Sequence, residues 1–499
     1  MAKRSIAAAL IALLVSIVFA GCSDYGRDRG GTGGRVRISI MANLHTQEVP
    51  SKRIAEALEE MTNAELTIQW VPDGSYDEKI NASFSTGTLP RAVYMKNTAS
   101  LLMFRDSIRN GQFWEIGPLI SNYPNLSRLN KQVLENTSVN GKIYGLYQER
   151  PLSRQGVIYR KDWADRLGLK EPTTIEELYT MLYKFTYNDP DGNGINDTIG
   201  LADRSDLIYG AFKTVSSYFG TPNGWGEQDG RLLPEFMFPE YVETMKFFRK
   251  LHAEQLMNKD FPVTGKVDQQ QLITSGKAGV YVGSMSDVLH LSEELSDNSP
   301  EAELAVQNRI RGPKGYGVWS TPGFGTVVLF PKSSNQTEED LHEILTFYDR
   351  LMSSEATNLI YWGIEGNDYK VDGDRAVLTE DTKMFEREIR PYQALAIGGR
   401  STIPGLLEPQ YEDTMKMKSE ELYRDNEQML IDDPTASLNS ETNNSHGMRL
   451  QEIVNDATYH FILGSIDEIG FQDAVEEWKK RGGSRIIDEF NADYRSANQ

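Results

Sequence analysis

The chain has one cysteine in 499 residues, Cys22. No internal disulfide can form, and no cysteine cluster can hold a metal. Histidine is scarce as well: His45, His252, His290, His342, His446 and His460 are scattered, and His342-Glu343 opens no His-Glu-x-x-His motif. A Gly-x-Ser-x-Gly elbow and a phosphate-binding P-loop are both missing, so the familiar hydrolase and nucleotide signatures are excluded. No run of five Lys or Arg relieves an acidic balance of 52 basic against 72 acidic residues, a net charge of −20. Such a surface repels nucleic acid. Adjacent acids such as Asp432-Asp433 and Glu420-Glu421 have the makings of a glycosidase pair. With this many acids, a solvated face is the better reading. Beyond the N-terminus, no stretch is long and apolar enough to span a membrane.

What is present begins at the N-terminus. Lys3 and Arg4 precede an apolar run from Ile6 to Ala20, the layout of a secretory signal peptide over residues 1–21. Cys22 follows Phe19-Ala20-Gly21, which resembles the bacterial lipobox and marks Cys22 for acylation; the alternatives are a plain membrane anchor helix or a lone cysteine in an export signal. Residues 22–34 are polar, Gly-rich and patternless, a flexible tether to the outer face of the membrane.

The remaining length exceeds what one core usually organises and suggests two or three domains, or two lobes built from interleaved segments, with 39% hydrophobic residues as ample material for cores. Strand and helix patterns alternate from Arg35: strands at 35–41, 65–71 and 91–96, helices at 51–61, with Ile54, Leu58 and Met61 inward, and at 76–85. That rhythm predicts a parallel α/β sheet. Two extended segments, Gly141–Trp163 around Arg150-Pro151 and Thr321–Ser333, are placed to cross between sheets.

NDPDGNGINDTIG, from Asn188 to Gly200, follows the spacing of a calcium loop: Asp189, Asp191, Asn193, the Ile195 carbonyl and Asp197 fall at ligand positions. Gly200 stands where a full loop carries a bidentate Glu, so the expected affinity is weak, about 10⁻⁴–10⁻³ M. The same residues also spell an ion-free turn. Aromatic residues near loops and extended segments suit the apolar face of a sugar ring. Trp225, Trp114, Tyr147, Arg154 and Trp362 are the candidates for lining a cleft. Ligands of parallel sheets bind beyond the carboxyl ends of strands, which adds Asn43, His45 and Asn97.

Several segments in order are similar to one family: YDEKINASFSTGTLP, VIYRKDWADRLGLKEPTTIEELYTML, FTYNDPDGNGINDTIGL, FGTPNGW, GKAGVYVG, YWGIEGNDYKVDGD and GGSRIIDEFNADY. The chain resembles the family 1 extracellular solute-binding proteins, lipoprotein subunits of carbohydrate ABC importers in Gram-positive bacteria. The resemblance implies a two-lobed, type II periplasmic-binding-protein-like clamshell of α/β lobes joined by hinge strands. It implies a first lobe of residues 35–150 plus 322–395 and a second of 151–321 plus 396–499. It further implies a monomer that traps an oligosaccharide, closes and docks on permease subunits, with a structural calcium ion and no catalytic activity. Two departures stand out. Arg91 replaces the family's usual Asp, and Ser284, Met285, Ser286 and Asp287 follow the GKAGVYVG strand where tryptophans are common. Asp287 therefore joins the ligand candidates. A sensing or adhesion clamshell without import, and a carbohydrate-active surface enzyme, stand beside this reading.

Overall fold

The structure, a computed structural model, describes residues 34–497 apart from 47, 380–381 and 411–412. The leader, Cys22 and all of the tether but Gly34 lie outside the described residues. β1 (Val36–Leu44) and β2 (Ala64–Pro72) run parallel along their whole length, Val36 opposite Ala64 and Leu44 opposite Pro72. The intervening helix, Arg53–Thr62, buries Ile54, Leu58 and Thr62, one row at i+4 spacing. Met61, expected inward, is exposed because Thr62 takes that place in the row. β3 (Ala92–Met95) joins the other side of β1 in parallel. Arg91, just before it, bonds the Arg37 carbonyl, Asn335 and Glu343 at the end of the sheet where β1 and β3 begin. The departure from Asp at this position therefore has a structural role.

β4 (Gly145–Glu149) leads across to β5 (Gln155–Arg160), which opens a second sheet. β6 (Ile199–Ala202), the hairpin of β7 (Trp225–Gln228) and β8 (Arg231–Pro234), β9 (Ala278–Ser284), β10 (Leu304–Gln307) and the short β11 (Val318–Trp319) follow. The chain then returns as β12 (Phe324–Leu329). The first sheet has the order β2-β1-β3-β12-β4 and the second β10-β5-β9-β6. β12 runs antiparallel to both neighbours in the first sheet. Each sheet has its own core. One gathers side chains from 38–147, 324–360 and 389–403, the other from 157–310 and 438–490. The molecule is thus a pair of α/β lobes with interleaved segments. Among the described residues, no helix is long and apolar enough to cross a membrane.

The crossings are tied together. Arg150 N donates to Gly323 O at 2.9 Å, and Thr321 N to Leu152 O at 2.6 Å. Gly323 has φ +79°, and a Cβ there would meet Leu152 Cδ2 at 2.6 Å, so only glycine lets the segments approach this closely.

One expected lobe limit is corrected. Ala396, Ile397 and Ile403 pack in the first core, and Glu408–Pro409 pairs with the Arg375–Leu378 strand. The physical reason is the open edge of β4: Gly398 N donates to Tyr147 O at 2.7 Å and Glu149 N to Gly398 O at 2.9 Å. Without that cover, β4 would expose unpaired amides. The second lobe resumes at the Thr414–Asn426 helix, whose Leu422 and Tyr423 pack with Ile158 and Val306.

The C-terminal helix, Ser484–Ala497, is stapled to the start of the Glu441–Ile462 helix through Glu489. Its carboxylate accepts from Ser440 Oγ (2.6 Å), Thr442 N and Oγ1 (2.9 Å each) and Arg485 Nε (2.8 Å). Burial raises the pKa of this carboxyl, but the hydrogen bonds outweigh burial and bring it to about 2. A depressed acid stabilises the fold above its ordinary value of 4.5, and that contribution is lost as pH falls through 2. Glu489→Ala is therefore expected to lower unfolding free energy at pH 7 by about 1–2 kcal/mol. In denaturant titrations at stepped pH, the gap from the parent protein should shrink between pH 4.5 and 2; a gap constant with pH would remove the staple.

Candidate functional site

The strand ends of the first lobe form one wall. Asn43 ends β1 nearly buried, with Nδ2 2.7 Å from His45 Nε2 and donating to Asp73 Oδ1 at 3.2 Å. Its Oδ1 has no partner. Lys96, after β3, reaches the Asp73 carbonyl at 2.9 Å and Asp77 Oδ2 at 3.2 Å. Polar groups therefore converge where parallel strands end. Asn97 serves differently: its Oδ1 accepts from Ser100 N at 2.9 Å and caps the Thr98–Met103 helix.

Of the expected cleft aromatics, Tyr147 and Trp362 are core residues instead, and Trp114 is partly buried against the first core. Tyr147 is 0% exposed, and its hydroxyl accepts from Asn130 N at 2.8 Å. On β4 it points into the sheet's packed face. Trp114 lies beside Pro331 and Asn335, past the end of β12, and donates from Nε1 to Asn335 O at 2.7 Å. That is the opposite end of the sheet from Asn43. Trp362, 8% exposed, packs with Tyr369 and Ala376 beside a small hairpin. Asp287 is engaged by its own lobe: Tyr281 Oη donates to it at 2.7 Å and Lys266 Nζ lies at 3.2 Å. Arg154 is half-buried at the crossing, and its carbonyl accepts from Met285 N at 2.8 Å.

The second lobe supplies the other wall, after β6. Asp203 accepts from Arg204 N (2.8 Å) and from Ala211 N (2.9 Å) at the start of the Ala211–Phe219 helix. Burial pushes its pKa up to about 6 against those hydrogen bonds. Arg204 Nη2 holds the Tyr209 carbonyl at 2.6 Å, and Tyr209 is 57% exposed. The Tyr209 ring stands edge-on to Trp319 at 6.0 Å. Lys213 lies over Trp319 at 5.7 Å and pairs with Glu235 at 2.9 Å. Trp319 Nε1 donates to Thr214 Oγ1, which donates to Gln155 at the foot of β5.

Beside this wall is a cavity of about 230 Å³. Trp225 and Trp478 contribute rings; Asn443, Gln451, Asn455, Lys213 and Glu235 contribute polar groups. Trp225 is held edge-on to Phe490 at 4.9 Å and also borders a second cavity of about 430 Å³, with Tyr316 and Asp432. Asn443, Gly447, Gln451 and Asn455 lie four residues apart on the Glu441–Ile462 helix. They form one polar stripe facing the cavity. These residues, Tyr209 and Lys213 were not found from the sequence. The signal was that stripe, in which amides and a glycine occupy one face.

The acidic loop is closed by its own amides. Asp189 accepts from Asn193 N at 3.0 Å and Gly194 N at 2.9 Å. Asp191 and Asp197 both accept from Asn193 Nδ2, at 2.9 and 3.2 Å, and Lys277 Nζ pairs with Asp197 at 2.7 Å. Ile195 is exposed. Among the described residues, no three acidic, His or Cys side chains gather as a metal site. The donor oxygens are of the hard type calcium takes, yet the neutral Asn193 amide and the Lys277 ammonium occupy their faces.

Because Tyr147 belongs to the core, Tyr147→Phe is expected to cost about 1 kcal/mol of stability by orphaning the Asn130 amide. Ligand affinity should be unchanged; a weakened affinity at unchanged melting temperature would return Tyr147 to the cleft.

The model of the bacterial extracellular solute-binding protein family matches residues 45–336. The chain is 40% identical to the polygalacturonan/rhamnogalacturonan-binding protein YtcQ of Bacillus subtilis (strain 168), over 98% of each chain. It is 35% identical to Lipoprotein LipO of the same organism, over 97% of each. Among solved structures, an HMO-binding, ABC-transporter-associated solute-binding protein from Bifidobacterium longum infantis superposes with a TM-score of 0.70 at 18% identity, covering 92% of this chain and 99% of that one. The lobes, their interleaved connections and these sequence matches together place the chain in the bacterial extracellular solute-binding protein family.

Proposed function

We propose that the protein is the lipid-anchored, monomeric binding subunit of an ABC importer, and that it captures an oligosaccharide between its lobes. The observation that carries this reading is the cavity in the second lobe's wall, where Trp225 and Trp478 meet the amide stripe and the Lys213–Glu235 pair. A sugar ring offers an apolar face to an indole and hydroxyls to amides and charged groups. The name of the 40% identical relative adds galacturonate-rich chains as the ligand class. The Asn43–His45–Asp73–Lys96 wall meets the ligand from the first lobe. Ligand that touches both walls favours the closed arrangement, and closure turns on the paired crossings. The closed form then presents both lobes to permease subunits, with Cys22 holding the protein at the membrane.

The same reading includes a structural calcium ion held by Asp189, Asp191, Asn193, the Ile195 carbonyl and Asp197. An ion would take the place of the Asn193 amide donor and the Lys277 ammonium in front of these carboxylates. Its role would be to pin the turn after the Ile175–Tyr187 helix.

Two measurements check these proposals. In titration calorimetry against mono- and oligosaccharides, Trp225→Ala is expected to weaken binding about tenfold, or about 1.4 kcal/mol, with the fold intact by circular dichroism. Unchanged affinity would take Trp225 out of the site. Calcium at ten times its dissociation constant should stabilise the fold by about 1.4 kcal/mol, seen as a raised melting temperature that Asp191→Asn abolishes. A melting temperature indifferent to calcium and chelator would reject the ion.

A further inference from the structure

Two arginines bracket the crossing from β4 to β5. Arg150 lies against the bare backbone of Gly325 in β12, where a Cβ would sit 2.7 Å from its Nε. It therefore belongs to the first lobe's edge, beside Tyr361. Arg154 belongs to the second lobe, its carbonyl held by Met285 at the end of β9. Burial raises the pKa of the Tyr423 hydroxyl, and Ser419, Ser286 and the charge of Arg154 oppose that rise, which puts Tyr423 beside Arg154.

A guanidinium is charged at any physiological pH and needs an acceptor. Among the described residues, neither Arg150 nor Arg154 forms an ion pair, and neither side chain makes a hydrogen bond. Glu149 and Glu408 are engaged by other groups. Glu149 accepts from Ser401 Oγ at 2.8 Å and from Thr402 Oγ1 at 3.3 Å. Glu408 is taken by Arg424 at 2.8 Å and Arg400 at 3.5 Å. Meanwhile burial lowers the Arg150 pKa, and the positive charge of Arg154 adds to that, with Tyr361 opposing. Two like charges thus share the hinge of a protein whose net charge is −20. This local excess of positive charge is set against an overall field that repels anions.

We propose that Arg150 and Arg154 are the specificity-determining pair of the cleft, reading a carboxylate on the oligosaccharide and so selecting uronate chains over their neutral esters. This rests on the reading of the cleft as an oligosaccharide site. A carboxylate accepts two parallel hydrogen bonds from a guanidinium, which a methyl ester cannot match. Because the arginines belong to different lobes, one anion between them also bridges the hinge. Charge recognition and closure then become a single event.

The test is titration calorimetry with oligogalacturonides and with the same fragments fully methyl-esterified, on the intact protein and on Arg150→Gln and Arg154→Gln. Melting temperatures serve as a control for folding. The expected result is at least a tenfold preference for the acid form, falling as salt is added. Each substitution should weaken acid binding at least tenfold and ester binding less than twofold. Lysine at either position should restore only part of the preference. Equal affinity of the parent protein for both forms, or equal loss on both, overturns the pair's role and leaves the oligosaccharide reading standing. Binding of neutral oligosaccharides alone does the same. Failure to bind any oligosaccharide overturns both.

Discussion

Everything two-lobed about this molecule hangs on the hydrogen bonds between its crossing segments. Arg150 with Gly323, and Thr321 with Leu152, turn two separate connections into one short antiparallel contact. Single strands would let the lobes twist independently. Paired strands restrict relative motion to bending across them, which is how hinge closure brings the same residues together each time. Asn426 reinforces the joint from the second lobe, donating to the carbonyls of Ser153 (3.2 Å) and Gln155 (2.9 Å).

The walls that meet across this hinge differ in chemistry. The second lobe offers rings and amides, held by contacts made before any ligand arrives: Trp225 on Phe490, Trp319 bonded to Thr214, Trp478 on Phe236. Preorganised aromatic groups lose little freedom on binding. The first lobe offers a compact charged cluster at the ends of β1, β2 and β3. One wall suits the faces of sugar rings, the other their hydroxyl edges. The guanidiniums at the hinge add a third kind of contact between them.

Much of the fold was legible because it is local. The alternation of strands and helices from Arg35 and the extended crossings follow from short-range patterns. Strand-end positions such as Asn43 were reachable because topology fixes where parallel strands stop. Tryptophans were not separable by sequence, since a ring that fits a sugar also fits a core. Trp114 and Trp362 were decided by which end of the sheet and which hairpin their segments reached. The Asn443–Asn455 stripe was passed over because amides on a helix normally face water. The return of residues 396–409 to the first lobe depends on the open edge of β4, a pairing between residues about 250 positions apart that no local pattern announces.

That late return has a kinetic side. The first sheet cannot be complete until Gly398 has covered β4, and the whole of the second lobe's long insertion precedes it in the chain. Closing so large a loop costs only slightly more than closing a shorter one, about 0.6 kcal/mol per doubling. The order of events is affected more than the final balance. The second lobe's β5–β10 sheet is contiguous in sequence and can organise first. The first lobe must wait with an unprotected strand, ready to pair with any extended neighbour. A chain built this way gains a tied hinge at the cost of a vulnerable interval during its folding.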